Sequence, residues 1–574
     1  MNSPFKVISQ NNGIKLVALR GLGMVLLSYT VDEHLLPNLA GFAIQCTSPD
    51  GKRFFLQNRL RLNPLPVNQL GETPANPDES IVSPFQKMRW LHVPSTLLSG
   101  IYTYEVIPVY FAPSNRLITK PGANISIELF NNHPTSFDWG FTRGFLQSQA
   151  YAQKFGNKPI RPKDKNEFPY TMHSYEARHI WLGGKAYKMF KDFIRDALTY
   201  DTSTLDALVY DFDIPDVLHY LASFGSRLRI IFDTSKTHID PTDAERKSAE
   251  ILQQSGAHIR YGKLGSLQHN KVFILKDKNQ KAQKVFTGSA NFSIRGFFAQ
   301  ANNVFVIDNA AAASLYQQYF EEMWARMSPS FGVDDKGEKM TADASTQQWF
   351  DIGEIGMPKM KVSFAPHKKA ITSLQLPADA VKSAQSSVFF SIMAFGSKSV
   401  VINEIVKQQS TDTIFSYGTY QTFSTDNEDN IKIVKQNEEQ VVRASLLKED
   451  IEPFKSETNA DGGMMIHHKF VVVDFNTPNA VVFTGSSNLA DSGEENNGDN
   501  LLAIYDEEIA TGFAIEALRL FDHYSFRFKV QQATEQKSDM NLQGPTPNQG
   551  EDFWWKPYYT PGTAKFDDRL FFTK

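Results

Sequence analysis

The sequence predicts a multidomain α/β protein: an all-β sandwich over residues 1–155, two α/β halves over 166–330 and 356–530 related by pseudo-twofold symmetry, and a C-terminal tail, 531–574. Three observations carry this expectation. The first 155 residues alternate short apolar runs with Gly and Pro turns and show little helical periodicity. Beyond them, β-like runs alternate with amphipathic helical stretches, the pattern of an α/β domain. One stretch of the second α/β region also repeats a stretch of the first.

The β region contains runs such as Lys15–Leu19, Val25–Tyr29, Gly41–Gln45, Ile101–Phe111 and Ala123–Leu129. Its layout resembles a fibronectin type III-like domain, and no catalytic constellation falls within it. A polar connector from Lys154 to Lys165, with Pro159 and Pro162, marks the boundary. The first α/β half then reads as a helix from Glu176 to Leu198, a strand at Ala207–Tyr210, a helix at Pro215–Phe224, a strand at Leu228–Phe232, and a helix at Asp243–Gln254. Residues 328–355 read as a linker. The second half repeats the plan with strands at Lys361–Phe364, Ser387–Ser391 and Thr413–Phe415 and helices at Ala370–Gln385 and Val400–Gln409. The polar stretch from Tyr420 to Gly463, acidic around Asp426 to Asp429, reads as loops bordering a site.

The repeated stretch is the informative one. His467-His468-Lys469 opens the apolar run Phe470–Val473, and Asp474 ends it; Ala480–Thr484 then leads to Gly485-Ser486-Ser487-Asn488. In the first half His269-Asn270-Lys271 opens Val272–Leu275, and Val285–Thr287 leads to Gly288-Ser289-Ala290-Asn291. Asn303 stands 12 positions after Asn291, and Asn500 stands 12 after Asn488. A strand and then a helix follow in both copies. Period-2 geometry puts each His and Lys on one face of its strand and turns His468 to the other.

Composition narrows the class. The 574 residues suffice for several domains, and 41% hydrophobic, 12% aromatic and 21% charged residues describe an ordinary globular chain rather than a disordered one. Net charge of -4 and a pI near 6.4 supply no global basic footprint for nucleic acid. One cysteine, Cys46, forms no internal disulfide, which suits a reducing compartment. The sequence has no secretory signal and no run of the ~18 apolar residues that span a bilayer. Location stays open between the cytoplasm and export by a non-classical route.

Two imidazoles facing one pocket, with Lys271 and Lys469 as full cations and Asn291, Asn488, Ser289 and Ser486 as neutral donors, suit an anion with several oxygens, foremost a phosphodiester. One histidine can attack phosphorus while the other protonates the leaving alcohol and later activates water. No cofactor is called for, and no carboxylates or cysteines at ligand spacing accompany the histidines, so no metal site is expected.

His-x-Lys, a β-run and Gly-Ser-x-Asn, twice in one chain, resembles the phospholipase D superfamily over residues 170 to 530 or so. The resemblance implies a two-step, metal-independent phosphodiesterase with a phosphohistidine intermediate and its site between two α/β halves. The second copy carries the full His-x-Lys-x4-Asp pattern through Asp474, a structural position in the family; the first has Lys276 there, with Asp277 one residue on. Eleven residues after each motif asparagine the family places a group that bonds an active-site imidazole, here Asn302 and Asp499. The resemblance implies that Asp499 orients His269 as nucleophile and Asn302 contacts His467 as general acid. A phospholipid headgroup ester is the favoured substrate, with peripheral contact to a membrane. A nuclease of the same superfamily and an inactive phosphate-binding scaffold are the alternatives. The partner of the β-sandwich is not specified.

A third His-x-Lys, at His367, lacks a following Gly-Ser-x-Asn and reads as a solvated helix start. His179 and Trp181 read as packing residues, and Phe553-Trp554-Trp555 as aromatics packing back on a domain.

Overall fold

The computed structural model describes residues 3–574 except 68–70, 73, 97, 130–135, 145–148, 157, 163–166, 236–239, 241–242, 332–343, 354–355, 394–397, 412–413, 424–428, 436–437, 444–465 and 549. Two compact units divide the chain, one comprising Met1–His133, Thr511–Arg519 and Phe526–Lys574, the other Pro134–Ala510 and Leu520–Ser525.

In the first unit, strands Lys6–Asn11, Ile14–Gly21, Met24–Val31 and Arg89–His92 form one antiparallel sheet. Arg53–Phe55, Leu39–Thr47, Gly100–Ala112 and Arg116–Thr119 form another, with Ala123–Leu129 also on Gly100–Ala112. Alternation decides which side chains turn inward: Ala123, Ile125, Ile127 and Leu129 are buried and the residues between them exposed. Leu16, Leu27 and Tyr29 of one sheet share a core with Phe42, Tyr104 and Val106 of the other. The tail is part of this unit rather than a separate segment. Trp554 and Tyr558 enter the same core, where burial of the indole and its Nε1–H bond to the Leu39 carbonyl at 3.0 Å hold the tail down.

The second unit contains two mixed sheets among the described residues. The first runs Phe137–Phe141, Asn303–Ile307, Ala282–Gly288, Val272–Lys276, Thr204–Val209, Leu228–Phe232, His258–Tyr261. The second runs Trp349–Ile352, Lys359–Ala365, Asp499–Tyr505, Val481–Gly485, Lys469–Val473, Ser387–Ile392, Phe415–Phe423, Asp429–Lys435, Glu438–Arg443. In each, the strand that opens with His-x-Lys is central, antiparallel to both neighbours. Parallel pairing follows, Thr204–Val209 with Leu228–Phe232 and then His258–Tyr261 in the first sheet, Ser387–Ile392 with Phe415–Phe423 in the second. Strands buried on both faces explain the unbroken apolar runs Phe470–Val473 and Val272–Ile274.

Three expectations need correction. The boundary near 155 falls too late: Phe137–Phe141 pairs with Asn303–Ile307 in the α/β sheet, because its alternating pattern fits any half-buried edge strand. Trp349–Ile352, inside the expected linker, is an edge strand on Lys359–Ala365, while 332–343 lie outside the described residues. The Tyr420–Gly463 stretch is strand where it is described; residues 424–428 and 444–463, with most of its acidic cluster, lie outside.

The expected helices form at Glu176–Leu198, Pro215–Ala222, Ala244–Gln254, Ile371–Lys382 and Val400–Gln409, and in the first the chain kinks at Gly184, φ 53°. Among the described residues no helix is long and apolar enough to cross a membrane.

The two halves anchor their histidine strands differently. Asp474, at φ 54°, turns its carboxylate onto the backbone N–H groups of Gln385, Ser386 and Ser387 at 2.7–3.1 Å, tying the end of its strand to the neighbouring one. Lys276 holds the equivalent place in the first half by pairing at 2.7 Å with Asp206, which also takes Arg229 at 2.7 Å. Asp277 closes its own turn, accepting from Asn279 and Lys281 N–H and from Gln283 Nε2. Asp474→Ala leaves those three N–H groups without their acceptor and is expected to cost about 1–3 kcal/mol in a denaturant melt, with Asp474→Asn, which keeps one acceptor oxygen and tolerates positive φ, costing less.

Candidate active site

Each Gly-Ser turn is built on a close backbone approach. Gly288 and Gly485 have φ of 150° and 153°, and a Cβ on either would lie 2.3 Å from the carbonyl oxygen of Asn303 or Asn500. Glycine is required there by contact as well as by φ. The approach lets Ser289 N–H donate to Asn303 O at 2.9 Å and Ser486 N–H to Asn500 O at 3.0 Å. Each serine hydroxyl in turn accepts the backbone N–H of Asn303 or Asn500, at 3.0 and 2.9 Å. Both hydroxyls are buried and committed to protein partners, so the expected direct phosphate contact of Ser289 and Ser486 is replaced by a positioning role.

The two halves complete each other. His269 N–H donates to Gly498 O at 2.9 Å and His467 N–H to Ala301 O at 3.1 Å. Next to these backbone bonds, His269 Nδ1 lies 2.8 Å from Asp499 Oδ1, and His467 Nδ1 lies 2.9 Å from Asn302 Oδ1. The residue between His and Lys joins the same seam: Asn270 accepts from Asn500 Nδ2 at 3.2 Å, and His468 Nδ1 meets Asn303 Nδ2 at 3.2 Å. Thr287 donates to Asn500 and Thr484 to Asn303.

The tautomers follow from acceptor logic. Asn302 Nδ2 donates to Gly296 O at 2.8 Å, so Oδ1 is the atom facing His467, and Ser289 Oγ donates to that same oxygen at 2.8 Å. An amide oxygen only accepts; His467 therefore carries its proton on Nδ1 and keeps Nε2 for chemistry. Asp499 imposes the same arrangement on His269. Thr142 holds Asn302 from behind, accepting its N–H at 2.9 Å and donating to Gln300 O at 2.7 Å. No sequence signal marked Thr142, because it lies inside the stretch read as sandwich.

Charge is less free than expected. Burial pushes Lys271 down to about 8 against the upward pull of Asp499, Asp211 and Asp233, and burial together with Lys271 pushes Lys469 well below the ordinary lysine range. Each ammonium folds back on its own motif, Lys469 donating to His467 O at 2.8 Å and Lys271 to His269 O. Burial, Lys469 and Lys271 lower His467 well below an ordinary imidazole. His269 is also lowered, by burial and Lys271, with Asp499 opposing. Burial alone would raise Asp499, but His269 and Lys271 outweigh it and hold the carboxyl below its usual range. The packing favours a neutral pair of imidazoles.

Asn291 donates to Asp211, and its Oδ1, like that of Asn488, has no hydrogen-bond partner. The unpartnered atom on both amides is therefore an acceptor oxygen. Sequence reasoning missed Tyr210, whose ring meets His269 edge-on at 4.9 Å and underlies Lys271 at 5.0 Å, and Arg295, whose charge reaches His467. His367 is no solvated helix start: it is buried, with Nε2 3.4 Å from Glu494 and from Ser363, because that turn packs against the Asp491–Asn496 helix. His179 packs as expected, stacked on Phe298 at 4.1 Å.

Stability should register the depressed imidazoles. Below an unfolded pKa near ~6.5 the unfolded chain binds protons that folded His467 refuses, so stability falls as pH drops. A His467→Gln protein is expected to gain on the wild type by up to about 1.4 kcal/mol per pH unit between roughly pH 6.5 and 5 in paired thermal melts. A pH-independent difference would contradict this electrostatic account.

A family model described as the phospholipase D-like domain of cardiolipin synthase matches residues 195–324 and 378–520, the two segments that carry the repeats. The mitochondrial cardiolipin hydrolase of Chlamydomonas reinhardtii is 28% identical over 138 residues, 24% of this chain and 56% of that protein. That of Xenopus tropicalis is 25% identical over 130 residues, 22% of this chain and 57% of that protein. The chain spans a little over half the length of these relatives. Among solved structures, phosphatidylserine synthase from Haemophilus influenzae Rd KW20 is 12% identical over 57% of this chain and 82% of its own, with a TM-score of 0.37. With both His-x-Lys and Gly-Ser-x-Asn sets inside the matched segments, the chain belongs to the phospholipase D superfamily.

Proposed function

We propose that this protein is a phosphodiesterase that works through a phosphohistidine, with phospholipid headgroup esters as its substrates. The observation that carries the reading is the pair of bonds crossing between the halves, His269 to Asp499 and His467 to Asn302. They free one Nε2 from each half for a single reaction. The proposal includes a pseudo-twofold axis relating the halves and a fibronectin type III-like sandwich in the first unit. The family model and the hydrolase relatives, whose printed names refer to a phospholipid, support a lipid over a nucleic acid.

In the first step His269 Nε2 attacks phosphorus, a P–N bond forms, and the P–O bond to the alcohol breaks. His467, protonated on Nε2, gives that proton to the departing oxygen. In the second step His467 takes a proton from water, the hydroxide attacks phosphorus, and the P–N bond breaks. Asp499 makes His269 the better nucleophile, because its carboxylate stabilises the positive charge of a phosphorylated imidazole; the neutral amide of Asn302 does this weakly and leaves His467 the stronger acid. Lys271 and Lys469 supply donors to the phosphoryl oxygens, while the unpartnered Oδ1 atoms of Asn291 and Asn488 accept from groups that carry a proton. The incoming anion offsets the field of the two lysines, so substrate binding and protonation of His467 are coupled.

Choline or glycerol release from phospholipid vesicles in EDTA tests the reading. His269→Asn should lose at least about 1000-fold in kcat/KM and trap no labelled phosphoenzyme, whereas His467→Asn should accumulate it from a substrate with a good leaving group. Ordinary trapping in His269→Asn would reverse the two roles. Because the free enzyme must bind with His467 charged, kcat/KM should fall as pH rises above the lowered pKa, approaching tenfold per unit. Strand cleavage with steep salt dependence and no lipid turnover would select the nuclease instead. A diester panel left intact would select a binding scaffold.

A further inference from the structure

The polar connector that opens at Lys154 helps to build a feature that the histidine site does not use. A hollow of about 420 Å³ lies between the end of the helix Gln149–Phe155 and the start of the helix Glu176–Leu198. Three of the residues around it are the cations Lys154, Lys158 and Arg178, and among the described residues no carboxylate lines it. The whole chain carries a net charge of -4, so the hollow reverses the average sign locally. It shares no residue with the histidine site.

Its walls are held by contacts. Gly156, at φ 60°, turns the chain after the first helix, Lys158 N–H donates to Phe155 O at 3.3 Å, and the Tyr151 hydroxyl donates to Lys158 O at 2.5 Å. The Phe155 ring lies 5.2 Å from that of Tyr151 and 5.8 Å from that of Trp181 on the second helix. Half-buried Arg178 donates from Nη2 to Ser174 O at 2.5 Å and lies 5.0 Å over the Tyr175 ring. Neighbouring charges are already paired: Arg161 of the same connector meets Asp213 at 3.6 Å, and Glu176 meets His173 at 3.8 Å. Lys154, Lys158 and Arg178 have no carboxylate partner among the described residues. Like charges gathered in this way repel one another, and a multivalent anion reverses the sign of that interaction.

We propose that this hollow is a second anion site, which binds the phosphate monoester group of a small organic molecule or of a lipid. The inference stands apart from the reaction proposed above. A monoester carries about -1.5 to -2 charges at pH 7, so three converging cations answer it better than they answer the single charge of a diester. The guanidinium fork of Arg178 matches phosphate oxygens, and the two lysines act as point charges. The volume falls within the roughly 300–1,000 Å³ of sites for organic ligands, more than a bare ion needs. Phe155 and Ala177 give the organic part an apolar wall.

Titration of glycerol 3-phosphate into the full-length protein, followed by hydrogen exchange, separates this site from the histidines by location. Saturable protection is expected in the segments 149–156 and 174–182, with an affinity at least about tenfold above that for glycerophosphocholine, a diester. Binding of the monoester should weaken from pH 7 to pH 5, as its phosphate takes up a proton near a pKa of about 6, while the diester shows no such loss. Arg178→Gln and the double variant Lys154→Gln, Lys158→Gln should each lose about tenfold or more in affinity, and Arg178→Lys less. In the lipid arm, His269→Asn protein, used so that no diester is turned over, is sedimented with phosphatidylcholine vesicles that contain phosphatidic acid or, at matched charge, phosphatidylserine. Stronger adsorption to phosphatidic acid, lost in an Arg178→Gln, His269→Asn protein, assigns the site to a lipid; protection by glycerol 3-phosphate without that preference assigns it to a soluble ester. Protein that shows neither response overturns the inference even if the variants do not fold. So does protection confined to other segments, or an affinity unchanged in Arg178→Gln and the double variant.

Discussion

The site depends on two hydrogen bonds that cross from one repeat to the other. His269 is oriented by Asp499, 230 positions away, and His467 by Asn302, 165 positions away. Neither repeat contains the acceptor its own histidine needs, and the backbone bonds His269 N–H to Gly498 O and His467 N–H to Ala301 O bring each acceptor into register. The glycines at 288 and 485 act on the same constraint from behind: only without a Cβ can the carbonyls of Asn303 and Asn500 come close enough to seat Asn302 and Asp499 one residue earlier. Duplication is thus a condition of the chemistry, since a single half presents an unoriented imidazole.

The two repeats differ where charge matters. A carboxylate faces one imidazole and an amide faces the other, in equivalent positions and nearly equal geometry, at 2.8 and 2.9 Å. Inside a water-poor pocket, one formal charge separates a base from an acid more effectively than any difference in shape. Of the two lysines buried beside the imidazoles, Lys271 lowers Lys469, and both lower His467. Both histidines are thereby held toward the neutral form, and under the proposed reading a bound anion offsets that field.

The same folding problem has two local solutions. Each histidine strand must be anchored at its far end if the His and Lys at its mouth are to keep their places. The second half uses Asp474 against three backbone N–H groups, and the first uses the buried pair Lys276–Asp206, extended by Arg229. Where the first motif departs from the His-x-Lys-x4-Asp pattern, an ion pair stands in place of the carboxylate cap.

Near-neighbour chemistry was readable directly. The alternation of Ala123–Leu129, the apolar run after each lysine, the helix at Glu176–Leu198 and the spacing from Asn291 to Asn303 all depend on residues a few positions apart, and pattern alone expresses them. The repeat also singled out both histidines and both lysines, and the family resemblance pointed to the unequal pair Asn302 and Asp499. What only the tertiary structure decided are relations between distant residues: that Phe137–Phe141 belongs to the α/β sheet, that Thr142 holds Asn302, that the serine hydroxyls face protein, and that His367 is buried. Sequence records which groups are present and their local period; desolvation and hydrogen-bond pairing across hundreds of positions determine what those groups are free to do.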